Sequence, residues 1–424
     1  MTDFPGRDEL LTFLGAELPA GWAEAVRSGD GERVLALKAG LDNPAFVRRL
    51  GAAGWVAPHW DVAHGGRGLT IDQAQAALVQ LDAWDVPRIP RGAGFTLAAP
   101  TIQRWAGEET KQRFLPPIAT GEERWCQLFS EPGAGSDLAS LATTAVRDGD
   151  EWIVNGQKVW TTLGHLSEFA MLLARTDPSQ PKHKGITYFG CDLRSPGVEV
   201  RPLVNMAGQV EFNEVFLTDV RIPDLYRISP VGDGWAATST TLGAERHALS
   251  GIKKKRKASD EILGGRTIEE VMALARAVGA TGDPVWRQRI ATEWIKQRLL
   301  ALTGLRAKGN AAAGRVGPEG SISKIAKAAA NQSLQVLAMD LLGAAATGWT
   351  PDDAEPWGYV EQFLRTRANS IEGGTSEIQR NIVGERVLGL PREPDPYLGQ
   401  AWNQVPRSSR PGQTLITVRP GTPS

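Results

Sequence analysis

The sequence predicts an α+β protein: a helical N-terminal part, a central antiparallel β domain and a helical C-terminal bundle, in that order. Three observations carry this prediction. Apolar residues recur at mixed three- and four-residue spacing up to about residue 124, and again from about residue 231, as on amphipathic helices. Between those limits the texture changes to short β-branched, aromatic or alternating runs separated by Gly, Asn and Pro, which read as strands. No apolar run approaches the roughly 18 residues that a membrane-spanning helix needs. The boundaries that follow are 1–124 for the N-terminal helices, 125–230 for the β domain and 231–393 for the bundle. Residues 394–424, rich in Pro, Gly, Ser and Arg, read as a tail.

In chain order, residues 45–53 and 71–84 carry amphipathic spacing, with the breaker Gly65-Gly66-Arg67-Gly68 between them. The run 111–115 leads into Pro116-Pro117, which predicts a helix end there. In the β part, Asn155-Gly156 lies between Trp152-Ile153-Val154 and Lys158-Val159-Trp160 and predicts a tight hairpin. Strands are expected at 185–192, 198–201 and 211–216. In the last part Trp286, Ile290, Trp294, Ile295, Leu299 and Leu302 form one apolar stripe. Ile322, Ala326, Ala329, Val336 and Leu337 form another, stopped by Gly343, and both suit a packed bundle.

Composition narrows the function classes. The chain has 424 residues, 42% hydrophobic and 22% charged, with net charge −1. That is an ordinary globular balance with room for two or three domains. It gives no electrostatic case for nucleic acid or a membrane surface as principal partner. Cys126 and Cys191 are the only cysteines, so a disulfide scaffold is not expected and a reducing cytoplasm is. The five histidines make no metal-ligand spacing with one another or with a cysteine, so no metal site is expected. The opening MTDFPGRDELL has early acids and no apolar core of signal-peptide length.

Residues 127–137 read QLFSEPGAGSD. A strand-like start breaks at Pro132-Gly133, and Gly133 and Gly135 flank the small Ala134. Backbone N–H groups in such a loop can approach a flat or anionic ligand closely, because no Cβ stands in the way. A lone Gly-x-Gly is usually a polar turn. Here it is joined downstream by NGQKVWTT at 155–162 and SIEGGTSEIQRNIVGER at 370–386.

These three segments, in this order, resemble the acyl-CoA dehydrogenase family of flavoproteins, and the resemblance runs over about residues 46–393. It implies the acyl-CoA dehydrogenase fold, with a four-helix C-terminal bundle and flavin adenine dinucleotide (FAD) as cofactor. It also implies an acyl-CoA substrate, electrons passed to an electron-transfer flavoprotein, and a homo- or heterotetramer. Residue by residue, Gln127 and Ser130 would run along the flavin ring, and Gly135 and Ser136 would lie at the flavin and the CoA arm. Trp160 would pack on the ring and Thr162 would bond its reactive edge. Thr375 and Glu377 would lie near the adenine end. A flat ring wants an aromatic neighbour and its polar edge wants donors. The loop lacks the third glycine of a dinucleotide-binding G-x-G-x-x-G and is not part of a βαβ unit.

The chemistry implied is α,β-dehydrogenation, with a carboxylate taking the α-proton. Many members place that carboxylate in I-Y-E-G-T. Here the register reads Ile371-Glu372-Gly373-Gly374-Thr375, so the base position is Gly373. Some members, the isovaleryl-CoA and long-chain acyl-CoA dehydrogenases included, carry the base on the first bundle helix before an Arg. This sequence has Glu245-Arg246 there. The resemblance therefore implies Glu245 as base, Arg246 at the substrate, and the backbone N–H of Gly373 as a donor to the thioester carbonyl. Glu372, one residue early, is the weaker candidate, since a one-residue step turns the side chain through a large angle. The diphosphate-binding R-x-x-F-G of many members is missing. GIKKKRK at 251–257 and Arg266 stand in that region, and the usual Gln-Gly segment has become DLLGA at 340–344. In this the chain resembles actinobacterial dehydrogenases of steroid side-chain degradation, some of which pair two different subunits. Helix-borne bases occur in members with branched, long or bulky acyl groups. Two other readings share the fold: a non-catalytic or half-site subunit of a heteromeric dehydrogenase, and a flavin oxidase or monooxygenase.

Overall fold

The computed structural model describes residues 4–90, 92–250, 264–313, 315, 317, 319–348 and 354–406. The chain divides into two compact units. The first holds Met1–Pro202, Phe212–Thr241 and Tyr397–Ser424, and the second holds Leu203–Glu211 and Leu242–Pro396.

The first unit opens with α1 (Arg7–Glu17), α2 (Trp22–Ser28), α3 (Gly31–Ala39), α4 (Asn43–Ala52), α5 (Ile71–Ala83), α6 (Ala99–Trp105) and α7 (Glu108–Thr120). Their starts follow from local chemistry. Asp30 and Asp42 accept bonds from Arg33 and Ala45 backbone N–H groups, and Thr70 and Gln73 form a reciprocal capping box at α5. Leu10, Leu14, Phe46, Leu50, Trp55 and Leu81 close the core of these helices. The helix end expected at Pro116-Pro117 does not occur, because α7 runs through both prolines. Phe114 and Leu115 before them and Ile118 and Ala119 after them are all buried. Both halves are thus anchored, which offsets the ~3 kcal/mol that an interior proline costs.

The β domain comprises β1 (Trp125–Leu128), β2 (Thr144–Asp148), β3 (Glu151–Lys158), β4 (Phe169–Arg175), β5 (Ile186–Asp192), β6 (Val198–Leu203) and β7 (Phe212–Pro223). The sheet runs β1-β4-β2-β3-β7-β6, with β5 also on β4. It is mixed rather than purely antiparallel: β4 pairs parallel with β1 along its length and with β2 at Thr144↔Arg175. The chain reaches β4 only after the β2–β3 hairpin, a crossover long enough to return in the same direction.

The hairpin expected at Asn155-Gly156 is also absent. β3 passes straight through both residues, with an irregularity between Val154 and Gly156 against β7. A Cβ on Gly156 would come within 2.3 Å of Thr143 Oγ1, so this glycine serves close strand approach and not a turn. The turn lies at Gly149-Asp150, between paired Asp148 and Glu151, with Gly149 at φ 65°.

The second unit contains most of α8 (Gly234–Ser250), whose first part belongs to the first unit, and α9 (Ile268–Ala277), α10 (Pro284–Ala312) and α11 (Glu319–Leu342). It continues with α12 (Ala354–Arg365) and α13 (Ser376–Arg386). Val271, Ala275, Ile290, Leu334, Leu337 and Ala338 form its core. Gly343, at φ 56°, ends α11 as expected. The face of α11 differs from expectation: Ala326 and Ala329 are exposed, while Ala330, Leu334, Leu337 and Leu341 are buried. Alanines on every side of this helix left its pattern ambiguous. On α10, Ile290 is buried, but Trp294, Ile295, Leu299 and Leu302 lie 47–57% exposed in the single chain.

Candidate active site

Five of the six residues expected at the flavin ring and CoA arm fall on two neighbouring loops of the first unit. The ends of β1 and β3 are joined just beyond the strands, where the Val159 N–H donates to the Ser130 carbonyl at 3.0 Å. Gln127, on β1, and Ser130 are half-buried, and Gly135, Ser136, Trp160 and Thr162 are exposed. Trp160 has two unusual properties together: its φ is 62°, in the left-handed region, and its side chain is 62% exposed. A bulky residue held there is strained, and strain of this kind gathers at functional sites. The following turn is fixed by the Thr161 N–H to Asn213 carbonyl bond at 3.0 Å and by Asn213 Nδ2 to the Thr161 carbonyl at 2.9 Å. The Phe212 ring stands edge-on to the indole at 5.9 Å.

A buried ion pair beneath these loops went unforeseen. Lys158 is fully buried, and its Nζ donates to Glu131 Oε1 at 2.9 Å and to the Phe129 carbonyl at 3.0 Å. Glu131 also accepts from the Ala142 and Thr143 N–H groups, the latter at 2.9 Å. Burial alone would raise the Glu131 carboxyl, but Lys158, Thr143 and the Ala142 N–H outweigh it and hold the group below its ordinary range. Burial also pulls the Lys158 ammonium down, with Glu131 opposing. The set of donors on Glu131 fits an ionised carboxylate, hence a true ion pair. It ties the Gly-Ala-Gly loop to the end of β3, so Ser130 and Trp160 are presented together. Both residues sit inside the two quoted motifs, yet no sequence spacing announces that they meet. Arg175, also unforeseen, is buried at the end of β4 and donates to the Ala139, Leu141 and Lys182 carbonyls.

In the second unit, the 371–375 turn has Gly373 at φ 63° and Gly374 at φ 84°. Two successive left-handed residues favour glycine strongly, which accounts for the small residue in the register of I-Y-E-G-T. The Gly373 carbonyl accepts from Gln379 Nε2 at 3.1 Å, while its N–H has no partner among the described residues. Thr375 caps α13, its Oγ1 accepting from the Ile378 N–H at 3.2 Å. Glu377 is exposed and pairs with Arg380 at 3.3 Å.

Glu372 is engaged. Arg365 Nη2 reaches its Oε2 at 3.0 Å and Asn369 Nδ2 its Oε1 at 2.8 Å. The same buried guanidinium holds Glu211 at 2.7 Å. Glu245 and Arg246 lie on α8, well past its first turn, and their side chains fall outside the described residues, as does the basic run 253–257. Arg266 is turned inward, pairing with Glu270 at 3.0 Å and lying 4.8 Å from the Tyr359 ring centre.

The loop geometry fits a flat cofactor. A Cβ on Gly135 would meet nothing within 4 Å, so this chain's own packing does not require glycine there. Thr161 Oγ1, beside Trp160, is buried without a hydrogen-bond partner. Among the described residues no group of three or more His, Cys, Asp or Glu could hold a metal ion, and no helix is long and apolar enough to cross a membrane.

Comparison with known proteins gives the class. Family models for the N-terminal, middle and C-terminal domains of acyl-CoA dehydrogenases match residues 31–122, 126–220 and 232–388. The chain is 41% identical over 349 residues to acyl-CoA dehydrogenase IpdE1 of Mycobacterium tuberculosis, covering 82% of this chain and 88% of that one. It is 37% identical over 363 residues to IpdE1 of Mycolicibacterium smegmatis, with the same coverage of 82% and 88%. Among solved structures, the Tcur3481-Tcur3483 steroid ACAD superposes with TM-score 0.67 at 28% identity, covering 91% of this chain and 97% of that one. The ChsE4-ChsE5 complex from Mycobacterium tuberculosis gives TM-score 0.62 at 27% identity, covering 93% and 100%. The chain belongs to the acyl-CoA dehydrogenase family, enzymes that use FAD.

Proposed function

We propose that this enzyme removes the α-proton and β-hydride of a bulky, ring-bearing acyl-CoA thioester, giving the 2-enoyl-CoA and passing electrons to an electron-transfer flavoprotein. Bound FAD supplies the hydride acceptor. Gln127 and Ser130 would run along its ring, Trp160 would pack on it, Gly135 and Ser136 would lie beside it, Thr162 would bond its reactive edge, and Thr375 and Glu377 would lie toward its adenine end. Ser136 and Arg246 contact the substrate. The Gly373 N–H donates to the thioester carbonyl, which lowers the acidity barrier at the α-carbon, and Glu245 takes the proton. The steroid enzyme among the structural relatives supports the bulky acyl group.

The observation that carries the base assignment is Glu372's engagement by Arg365 and Asn369. A carboxylate with both oxygens already held by Arg365 and Asn369 is not free to turn to a substrate, which leaves the acid on α8. The test is rapid-mixing measurement of flavin bleaching with a thioester found by screening. Glu245→Gln keeps size and hydrogen bonding but not basicity, so bleaching slows by ~10²–10⁴ with flavin retained. Glu372→Gln costs far less. Unchanged bleaching in Glu245→Gln, or collapse in Glu372→Gln alone, moves the base into the signature turn.

The inward Arg266 favours a second reading, a half-site subunit whose flavin diphosphate contacts come from a partner chain. The visible spectrum separates the two readings: near one flavin per purified chain supports the first, and colourless protein the second.

A further inference from the structure

The stretch 397–405, which composition assigns to a tail, is anchored on the first unit through Ala401, Trp402 and Asn403. The Trp402 N–H donates to the Gln180 carbonyl at 2.9 Å, the Asn403 N–H donates to Pro178 at 3.0 Å, and Ala401 bridges to Pro181. The Trp402 side chain is buried and its Nε1 donates to the Ser140 carbonyl at 3.4 Å. Its ring lies over the Arg175 guanidinium, 4.4 Å from ring centre to Cζ.

These contacts fall on two loops that Arg175 already joins. Its guanidinium donates to the Ala139 carbonyl at 2.6 Å and to Leu141 at 3.2 Å on one loop, and to Lys182 at 3.0 Å on the other. Lys182 in turn pairs with Asp137 at 3.0 Å, and Asp137 directly follows Ser136. A guanidinium committed to main-chain carbonyls keeps them in register only while water is excluded from its faces, and an indole laid over it does that and adds a cation–π attraction. Trp402 thus packs on the guanidinium that holds this loop and bonds its Ser140 carbonyl, four residues after Ser136.

We propose that residues 397–405 form a strap that sets the 136–141 and 177–184 loops to receive the CoA arm, with Trp402 as a positioning residue. This rests on the acyl-CoA reading. The test uses the full flavin-loaded protein with Trp402→Ala, with Trp402→Phe, and with chains ending at Pro406 or at Pro396. Coenzyme A itself is the calorimetric probe. KM and kcat are compared for an acyl-CoA and for the same acyl group on N-acetylcysteamine, which lacks the nucleotide arm.

Trp402→Ala and the chain ending at Pro396 weaken CoA binding and raise KM for the acyl-CoA by roughly tenfold, the scale of one desolvated cation–π contact. Flavin content, kcat and KM for the short thioester stay as in the parent. Trp402→Phe and the chain ending at Pro406 stay within about twofold of the parent. Amide exchange at residues 138–142 quickens in Trp402→Ala, while β4 and β5 hold their protection. CoA binding like the parent's in both strap-deficient chains overturns the proposal, as does unchanged exchange at 138–142. Equal losses on both thioesters also overturn it, since they would mean general damage. A parent that binds no CoA sinks the acyl-CoA reading itself, and the strap's assigned ligand with it.

Discussion

Trp160 holds a backbone conformation that the fold alone does not repay. Its left-handed φ costs a non-glycine residue about 1–2 kcal/mol, and a side chain this exposed recovers little by burial. Trp160→Gly should relieve that strain. The apo form is expected to melt at the parent's temperature or above, while flavin per chain falls. A variant that keeps its flavin would remove Trp160 from the ring site. The Glu131–Lys158 pair beneath behaves oppositely, since there the fold depends on the charges. Glu131→Gln leaves an ammonium buried without a counter-charge, a loss of about 3–5 kcal/mol, whereas adding Lys158→Met should restore much of it. The pH dependence has a definite sign. Glu131's carboxyl lies below its ordinary value in the fold. Its contribution is therefore complete above the unfolded carboxyl's value, roughly 4.3, and is lost as pH falls through the lower folded value. Acid denaturation of the parent followed alongside the double variant checks this, and a parent no steeper than the variant below about pH 4 contradicts it. The sequence singled out the segments that hold Trp160 and Gly135, and the fold sets them on neighbouring loops. The sequence hid Arg175 and Arg365, whose roles depend on carbonyls and carboxylates brought close only by folding.

At the scale of elements, legibility depended on whether a local signal competed with a tertiary one. The stop at Gly343 was read correctly because it acts within one turn of chain. Asn155-Gly156 and Pro116-Pro117 were read as a turn and a stop, which is their ordinary local meaning. In the fold they answer to neighbours: Gly156 to Thr143, and the prolines to the buried residues on either side. The Gly156 case makes a quantitative expectation. A Cβ there would sit 2.8 Å from the Thr143 Cα, so the backbone and not just a side chain must shift. Gly156→Ala is expected to destabilise by about 1–3 kcal/mol. Because β3 ends at Lys158, two residues before Trp160, flavin affinity should fall with it. Equal denaturation midpoints for parent and variant would show that the sheet has slack there.

At the scale of the whole molecule, the single chain leaves an apolar face open. Trp294, Ile295, Leu299, Leu302 and Leu305 on α10 are each 47–59% exposed, and their three- and four-residue spacing places them along one stripe. A periodic apolar helix face of this kind marks a surface for association. The sequence pattern was read as bundle core, and pattern alone could not separate core within a chain from core between chains, because both bury the same residue types. The expectation is that the protein assembles through this face, as a tetramer of itself or with a related chain. Leu299→Glu with Leu302→Glu would place two charges in a desolvated stripe, and unpaired buried charges are costly. Sedimentation should then show smaller species, with the helical content of the chain kept. If flavin diphosphate contacts come from a neighbouring chain, as the inward Arg266 suggests, the same variant should also lose flavin. An unchanged sedimentation coefficient would return the stripe to the surface of a chain that needs no neighbour. Smaller species that keep one flavin each would separate assembly from cofactor binding and leave the half-site reading without support.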